Sequence, residues 1–342
     1  MKIVTIVGAR PQFVKAAALS REFAKHDTIE EILVHTGQHF DANMNEVFFE
    51  EMEIPRPKFN LDINSLSHGA MTGRMLEEIE KILIQEKPDV LLVYGDTNST
   101  LAGVIAAKKL HIKVAHVEAG LRSFNMEMPE EVNRILTDRI SDFLFCPTQT
   151  AIDNLQKEGY ENIDCQIVNT GDVMEDAALF YAEKSQEKST IIKNINHEKF
   201  ILATLHRAEN TDYKEKLNDI VEALNHIHAE VCPVVLPLHP RTKAKLNLFG
   251  IDLKVKLIDP VGYFDMIELL KNCDLVMTDS GGLQKEAYFF NKNCVTMREQ
   301  TEWVELINAK VNVLAGSDKD LIIKGTKDML GKKSDFSMNL YG

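Results

Sequence analysis

Residues 2–15 read Lys2-Ile-Val-Thr-Ile-Val-Gly8-Ala-Arg10-Pro11-Gln12-Phe-Val-Lys15, an apolar run that closes on glycine and turns into the start of a helix. A strand that is apolar throughout is buried on both faces, the condition of a parallel sheet covered by helices. The glycine permits a tight turn, and the proline suits the first helical position. The same unit recurs. Short runs rich in Val, Ile and Leu stand at 31–36, 90–95, 113–118, 143–146 and 166–169, with helical patterns between them. Within 74–85, Met75, Ile79, Ile82 and Leu83 share one stripe while Glu77, Glu78 and Lys81 face water. From 182 to 199 the chain is polar and lacks a sustained apolar period, so it reads as a connection or a surface helix. A second series follows at 200–205, 233–238, 254–258, 274–278 and 293–297. The expectation is an α/β protein of two Rossmann-like, doubly wound domains facing a central cleft, with ligands at the carboxyl ends of the strands. The domains are placed at 1–170 and 171–342, with 171–199 as the connecting segment.

Composition narrows the function. With 342 residues, 44% hydrophobic and 27% charged, the chain has ample material for a core. Its 52 acidic against 39 basic residues, a net charge of −13, speak against nonspecific nucleic-acid binding or an anionic membrane surface. The five cysteines are odd in number, widely spaced and mostly set in apolar runs, which fits reduced thiols in a cytoplasm. The N-terminus is too short and strand-like for a signal peptide or a membrane span, so the chain is expected to stay where it is made.

The strand ends carry the chemistry. After the first, Arg10 and Lys15 bring positive charge to a helix N-terminus, an anion site or simply a turn with solvated cations. In Asp279-Ser280-Gly281-Gly282-Leu-Gln-Lys-Glu286, bare backbone amides can wrap a phosphate and Glu286 can accept from vicinal ribose hydroxyls; a plain turn with Ser280 as N-cap is the other reading. Asp96, Glu118 and the pair Glu130-Glu131 lie at or just after strand ends, where a carboxylate is costly unless used or paired. Asp96 can instead cap the helix starting near Ser99, and Glu130-Glu131 can be a solvated first turn. Glu118, after a buried-strand pattern, has no comparably simple alternative. His206 and His239 each follow a strand directly, as catalysts or as structural hydrogen-bonders. No GxGxxG or Walker spacing is present, and Gly325 to Ser334 has one residue too many between its glycines, so NAD and ATP lose ground. His35 and His39 straddle a loop, not a helix, and no metal-binding box stands elsewhere; neither metal nor cofactor is expected.

Taken together, Gly8-Ala-Arg-Pro, Thr36-Gly-Gln-His39, Gly95-Asp-Thr-Asn-Ser-Thr100, His116-Val-Glu-Ala-Gly-Leu-Arg122, Pro129-Glu-Glu-Val-Asn-Arg134, His206-Arg-Ala-Glu-Asn210 and Asp279-Ser-Gly-Gly282 resemble the non-hydrolysing UDP-N-acetylglucosamine 2-epimerases, in order and from Met1 to about Leu314. The resemblance implies the glycosyltransferase-B type of fold and a catalytic set of Asp96, Glu118, Glu131 and His206. It implies UDP binding by Arg10, Ser280, Gly281, Gly282 and Glu286, with Lys15 and Arg298 near the phosphates, and a second, activating sugar site near Gln38, Arg207 and His239. It also implies a homodimer. Gln12 stands where many relatives have Glu, and Trp303 follows Thr301-Glu302 where they place Arg-Pro, which points to a different sugar end of the pocket. With 123–128 and 298–305, the chain is similar to the branch acting on UDP-2,3-diacetamido-2,3-dideoxyglucuronate for polysaccharide synthesis. The expected reaction inverts carbon 2 by elimination of UDP and re-addition through a 2-acetamidoglycal. A UDP-sugar-dependent glycosyltransferase and a noncatalytic nucleotide-sugar sensor are the rivals on the same fold.

Overall fold

The computed structural model describes residues 1–38, Phe49 and 55–342. The side chain of Arg10 and the whole of His39, the last residue of the Thr36-Gly-Gln-His motif, lie outside the described residues. Two compact units are present, Met1–Ala177 with Leu340–Gly342, and Ala178–Asn339.

The first unit holds a seven-stranded sheet in the order β3-β2-β1-β4-β5-β6-β7. Its strands are β1 (Lys2–Val7), β2 (Glu30–His35), β3 (Phe59–Asn60), β4 (Val90–Tyr94), β5 (Lys113–Val117), β6 (Phe143–Cys146) and β7 (Gln166–Asn169). Every pairing is parallel. Val4, Ile6, Leu91 and Val93 are wholly buried, as continuous apolar strands require, and helix His68–Glu86 covers them with Met71, Met75, Ile79, Ile82 and Leu83. The second unit repeats the plan with β8 (Ile201–Thr204), β9 (Val234–Pro237), β10 (Lys256–Ile258), β11 (Leu275–Thr278), β12 (Cys294–Thr296) and β13 (Asn312–Leu314), in the order β10-β9-β8-β11-β12-β13. These pairings are parallel too.

The polar stretch expected as a connection is mostly helix, Val173–Lys188 and Ile191–Asn194. The chain leaves the first unit within the longer of these helices, seven residues later than the expected boundary at 170. Its last three residues return there because the Asp172 amide donates to the Tyr341 carbonyl (2.5 Å) and Tyr341 is buried.

In each unit the strand order reverses between the first strand and its neighbour, β1 and β4 or β8 and β11. The carboxyl ends of the strands diverge there, which makes a crevice for ligands. A buried polar side chain spans each reversal. In the first unit, Gln12 Oε1 accepts from the Gly8 (2.8 Å) and Ala9 (3.1 Å) amides, while its Nε2 donates to the Tyr94 carbonyl (2.7 Å) and to the Thr97 and Thr100 hydroxyls. In the second, the Asp279 carboxylate accepts from the amides of His206 (3.0 Å) and Arg207 (2.9 Å), beside a Thr204–Thr278 hydroxyl pair at 2.6 Å.

Replacing Gln12 with Leu keeps the volume but strands two buried amides, at roughly 1–3 kcal/mol each. The Gln12→Leu protein should unfold about 2–6 kcal/mol more easily in urea. A loss under ~0.5 kcal/mol would mean that these groups find other partners.

Candidate active site

The carboxyl end of the first sheet gathers acids. Gly95, at φ +59°, turns the chain off β4, and Asp96 follows. The Asp96 carbonyl accepts from Asn133 Nδ2 (2.9 Å), and its carboxylate is bonded by Arg134 Nη2. Asp96 does not cap the next helix: Thr97 does, accepting from the Thr100 amide at 3.2 Å. The Asp96 side chain keeps 31% of its surface exposed, which leaves it open to a ligand.

Glu118 ends β5 at φ +72°, a left-handed conformation that costs a residue with a side chain about 1–3 kcal/mol. The amides of Glu118 and Ala119 both donate to the Phe145 carbonyl at 3.0 Å, which holds the strain in place. The Glu118 carboxylate pairs with Lys15 Nζ. Lys15, expected beside phosphate, spends its ammonium on this acid. A methyl group built on Gly95 would lie 3.2 Å from Glu118 Oε2 and 3.4 Å from Lys15 Nζ, so this pair packs against the turn that carries Asp96.

Glu131 differs from both. It is wholly buried and accepts from the Ser123 amide and hydroxyl (2.9 Å each), the Phe124 amide (2.8 Å) and Arg134 Nη1 (3.1 Å). Arg134 therefore joins Asp96 to Glu131. It lies three residues beyond Glu131 on helix Pro129–Ile140, a spacing at which helical side chains meet.

Beneath these groups lies a buried ion cluster that the sequence reading missed. Asp138 accepts from His116 Nδ1 (2.7 Å), Arg122 Nη1 (2.7 Å) and the Gly120 amide (3.1 Å), and Arg122 Nε also reaches Glu158 at 2.7 Å. Burial pushes the Asp138 carboxyl up, but His116 and Arg122 outweigh it and hold it below the usual carboxylate range. The clue was the helical spacing that puts Asn133, Arg134 and Asp138 on the buried side of one helix.

At the carboxyl end of the second sheet, His206 Nδ1 lies 3.4 Å from Asp279 Oδ1, and its ring sits 6.1 Å from that of His239. His239 Nδ1 accepts from the Arg241 amide (3.2 Å), a helix cap, so its proton is on Nε2. Arg207 is half-buried at the N-cap of helix Ala208–Thr211. Ser280 stands at the N-cap of helix Gly281–Phe289, yet its side chain makes no capping bond. The plain capped turn is thus not what forms. A methyl group on Gly281 would lie 2.2 Å from Glu302 Oε1, whereas one on Gly282 meets only Ser280 Oγ, at 4.0 Å. Glu286 is buried one turn into this helix. Arg298 is also buried, with Nη1 3.1 Å from Glu302 Oε2 and Nε 3.3 Å from Glu209 Oε1, so its charge is matched by protein carboxylates.

Three expected sugar contacts have other occupations. Gln12 is 2% exposed and consumed by the stitch across β1 and β4. Trp303 is 3% exposed, with Lys285 Nζ 3.9 Å from its ring centre. Gln38 accepts from the Ser99 amide (3.0 Å) and hydroxyl (2.8 Å), which caps helix Asn98–Lys109. Among the described residues, no helix is long and apolar enough to cross a membrane. No group of three or more His, Cys, Asp or Glu side chains among them is arranged to hold a metal.

Two Rossmann-like units of this strand order are the glycosyltransferase-B type of fold. A family model described as UDP-N-acetylglucosamine 2-epimerase matches residues 21–342. Over 342 residues the chain is 59% identical to the UDP-2,3-diacetamido-2,3-dideoxy-D-glucuronate 2-epimerase of Pseudomonas aeruginosa, covering 100% of this chain and 96% of that one. It is 44% identical to a UDP-N-acetylglucosamine 2-epimerase of Methanocaldococcus jannaschii, covering 98% and 94%. The crystal structure of M. jannaschii UDP-GlcNAc 2-epimerase in complex with UDP-GlcNAc and UDP superposes with a TM-score of 0.93 at 43% identity, over 100% of this chain and 96% of that chain. The chain belongs to the UDP-N-acetylglucosamine 2-epimerase family, and it is an isomerase.

Because the Asp138 carboxyl titrates below its unfolded value, its stabilisation is complete above the ordinary carboxylate range and is lost as pH falls through the depressed value. Asp138→Asn should cost about 3–5 kcal/mol at pH 7, read as a lower Tm. The gap in Tm from the parent should narrow below roughly pH 4. A gap independent of pH would place the stabilisation elsewhere.

Proposed function

We propose that the protein inverts carbon 2 of UDP-2,3-diacetamido-2,3-dideoxyglucuronate, in a cytoplasmic pathway that builds polysaccharide, as a homodimer. The carrying observation for the sugar is the 59% identity, over the whole chain, to the Pseudomonas aeruginosa enzyme named for it. Gln12 and Trp303 do not carry it, because both are buried and engaged in scaffold contacts. A reducing compartment is supported by five free cysteines, of which burial pushes Cys146, Cys273 and Cys294 up to about 12.

Carbon 2 has no neighbouring carbonyl, so its hydrogen leaves only in concert with bond breaking at carbon 1. In the proposed step a carboxylate takes the carbon-2 proton, the electron pair of that C–H bond becomes the second bond between carbons 1 and 2, and the bond from carbon 1 to oxygen breaks with its pair leaving on UDP. The 2-acetamidoglycal and UDP are then held, a proton returns to the opposite face of carbon 2, and a phosphate oxygen re-adds at carbon 1. Opposite faces need two proton-handling groups. Asp96 and Glu118 are assigned to them, supported by the exposure of Asp96 and by the strained backbone that aims Glu118. Glu131, wholly buried, is assigned to holding Arg134 and the 123–124 backbone. Ser280, the uncapped amides of Gly281 and Gly282, and Glu286 are assigned to UDP, with His206 beside the departing phosphate.

Purified protein should turn over the diacetamido uronate with at least a tenfold higher kcat/KM than UDP-N-acetylglucosamine, followed by proton NMR. The reverse order would overturn the choice of sugar while leaving the family in place. Transfer to an acceptor without epimer formation would favour a glycosyltransferase.

The assignment of roles predicts opposite signatures. Asp96→Asn and Glu118→Gln should each lower kcat by about 10²-fold or more with UDP affinity retained. Glu286→Ala should weaken UDP binding by about 1.5–3 kcal/mol in calorimetry. Loss of UDP binding in the first two variants, or none in the third, would contradict these roles.

A further inference from the structure

His116 is the fourth of the five residues of β5, completely shielded from solvent, and beyond its bond to Asp138 it has been given no role in the chemistry. Both of its ring nitrogens meet oxygens that accept. Nδ1 is 2.7 Å from Asp138 Oδ1, and Nε2 is 2.8 Å from the Gly95 carbonyl. A carbonyl oxygen has no proton to give, so Nε2 must carry one. Asp138 Oδ2 is already taken by Arg122 Nη1 (2.7 Å) and the Gly120 amide (3.1 Å), donors that favour the ionised carboxylate.

The bond to Gly95 falls where the candidate chemistry begins. The Gly95 carbonyl belongs to the peptide that joins Gly95 to Asp96, and on the other side the Gly95 amide donates to the Val117 carbonyl at 3.0 Å. Gly95 is thus fastened to β5 at both its amide and its carbonyl, in a left-handed turn. Rotation of that peptide would swing Asp96 away from Arg134 and Asn133, which hold its carboxylate and carbonyl.

We propose that the Nε2–H of His116 locks the Gly95–Asp96 peptide, which makes His116 the positioning residue for Asp96 in the epimerisation. This rests on the assignment of Asp96 to proton transfer made above. The other edge of the ring is held by Asp138 of helix Pro129–Ile140, which Arg122 fixes in turn, with Glu158 beyond it.

Two measurements test this on the full chain. In ¹⁵N-histidine protein, long-range ¹⁵N–¹H correlation spectra should show the Nε2 of His116, assigned by its loss in a variant, carrying a proton. An Nε2 without a proton would overturn the proposal whether or not the variants fold. The second measurement uses two amides that each keep one donor. His116→Gln places its amide nitrogen where Nε2 was, toward Gly95, whereas His116→Asn places it where Nδ1 was, toward Asp138. The Gln variant should keep kcat within tenfold, and the Asn variant should lose about 10²-fold in kcat with KM and UDP affinity little changed. Equal kcat in the two variants, or a loss seen mainly in KM, would overturn the positioning role. If the unaltered protein fails to turn over either UDP-sugar, the proposed function fails, and the spectra still decide the protonation of His116.

Discussion

The carboxylate of Asp138 is wholly shielded from solvent, and the site end of the first sheet is arranged around compensating that burial. An isolated buried anion is costly by several kcal/mol. Three donors answer it, from β5, from the loop after β5 and from a backbone amide. Each donor also fixes something else. His116 holds the turn after β4, Arg122 holds Glu158 on the next helix, and the Gly120 amide holds the loop that begins at the strained Glu118. The network thus converts one electrostatic demand into the relative placement of two acids, the part-exposed Asp96 and the more buried Glu118.

Asp279 serves the second sheet in a similar way. It is fully buried and takes the amides at 206 and 207, so the His206 side chain is aimed from a backbone that the reversal between β8 and β11 has already fixed. The two units thereby share a device, a buried polar group that closes the strand reversal with backbone amides, Gln12 in one and Asp279 in the other. What differs is the surface each device leaves. The first unit presents carboxylates backed by cations, and the second presents glycine amides and histidines. The proposed roles divide along that contrast, proton transfer assigned to the first unit and diphosphate binding to the second.

The winding of both halves was legible because apolar strands buried on two faces leave an unmistakable run, as in 2–7 and 275–278. The acids at 96 and 118 were legible because each ends such a run. Roles at the sugar end were not. Gln12 and Trp303 depart from the pattern of relatives, and a departure in sequence does not reveal that a side chain points inward and is spent on neighbouring backbone. The family resemblance put Lys15 and Arg298 near the phosphates, Lys15 also by its charge at a helix N-terminus, but a sequence does not show a side chain's partner, and the fold supplies Glu118 to one and Glu302 with Glu209 to the other. His116 looked like one more buried strand residue until both acceptors were in view.

In the proposed reaction, carboxylates at the end of the first sheet exchange the carbon-2 proton of a UDP-sugar during reversible loss of UDP. Running the reaction in heavy water and reading carbon 2 of the product by NMR and mass spectrometry decides it. One deuterium at carbon 2 is expected in every turned-over molecule. Product that keeps its original carbon-2 hydrogen would rule the elimination out.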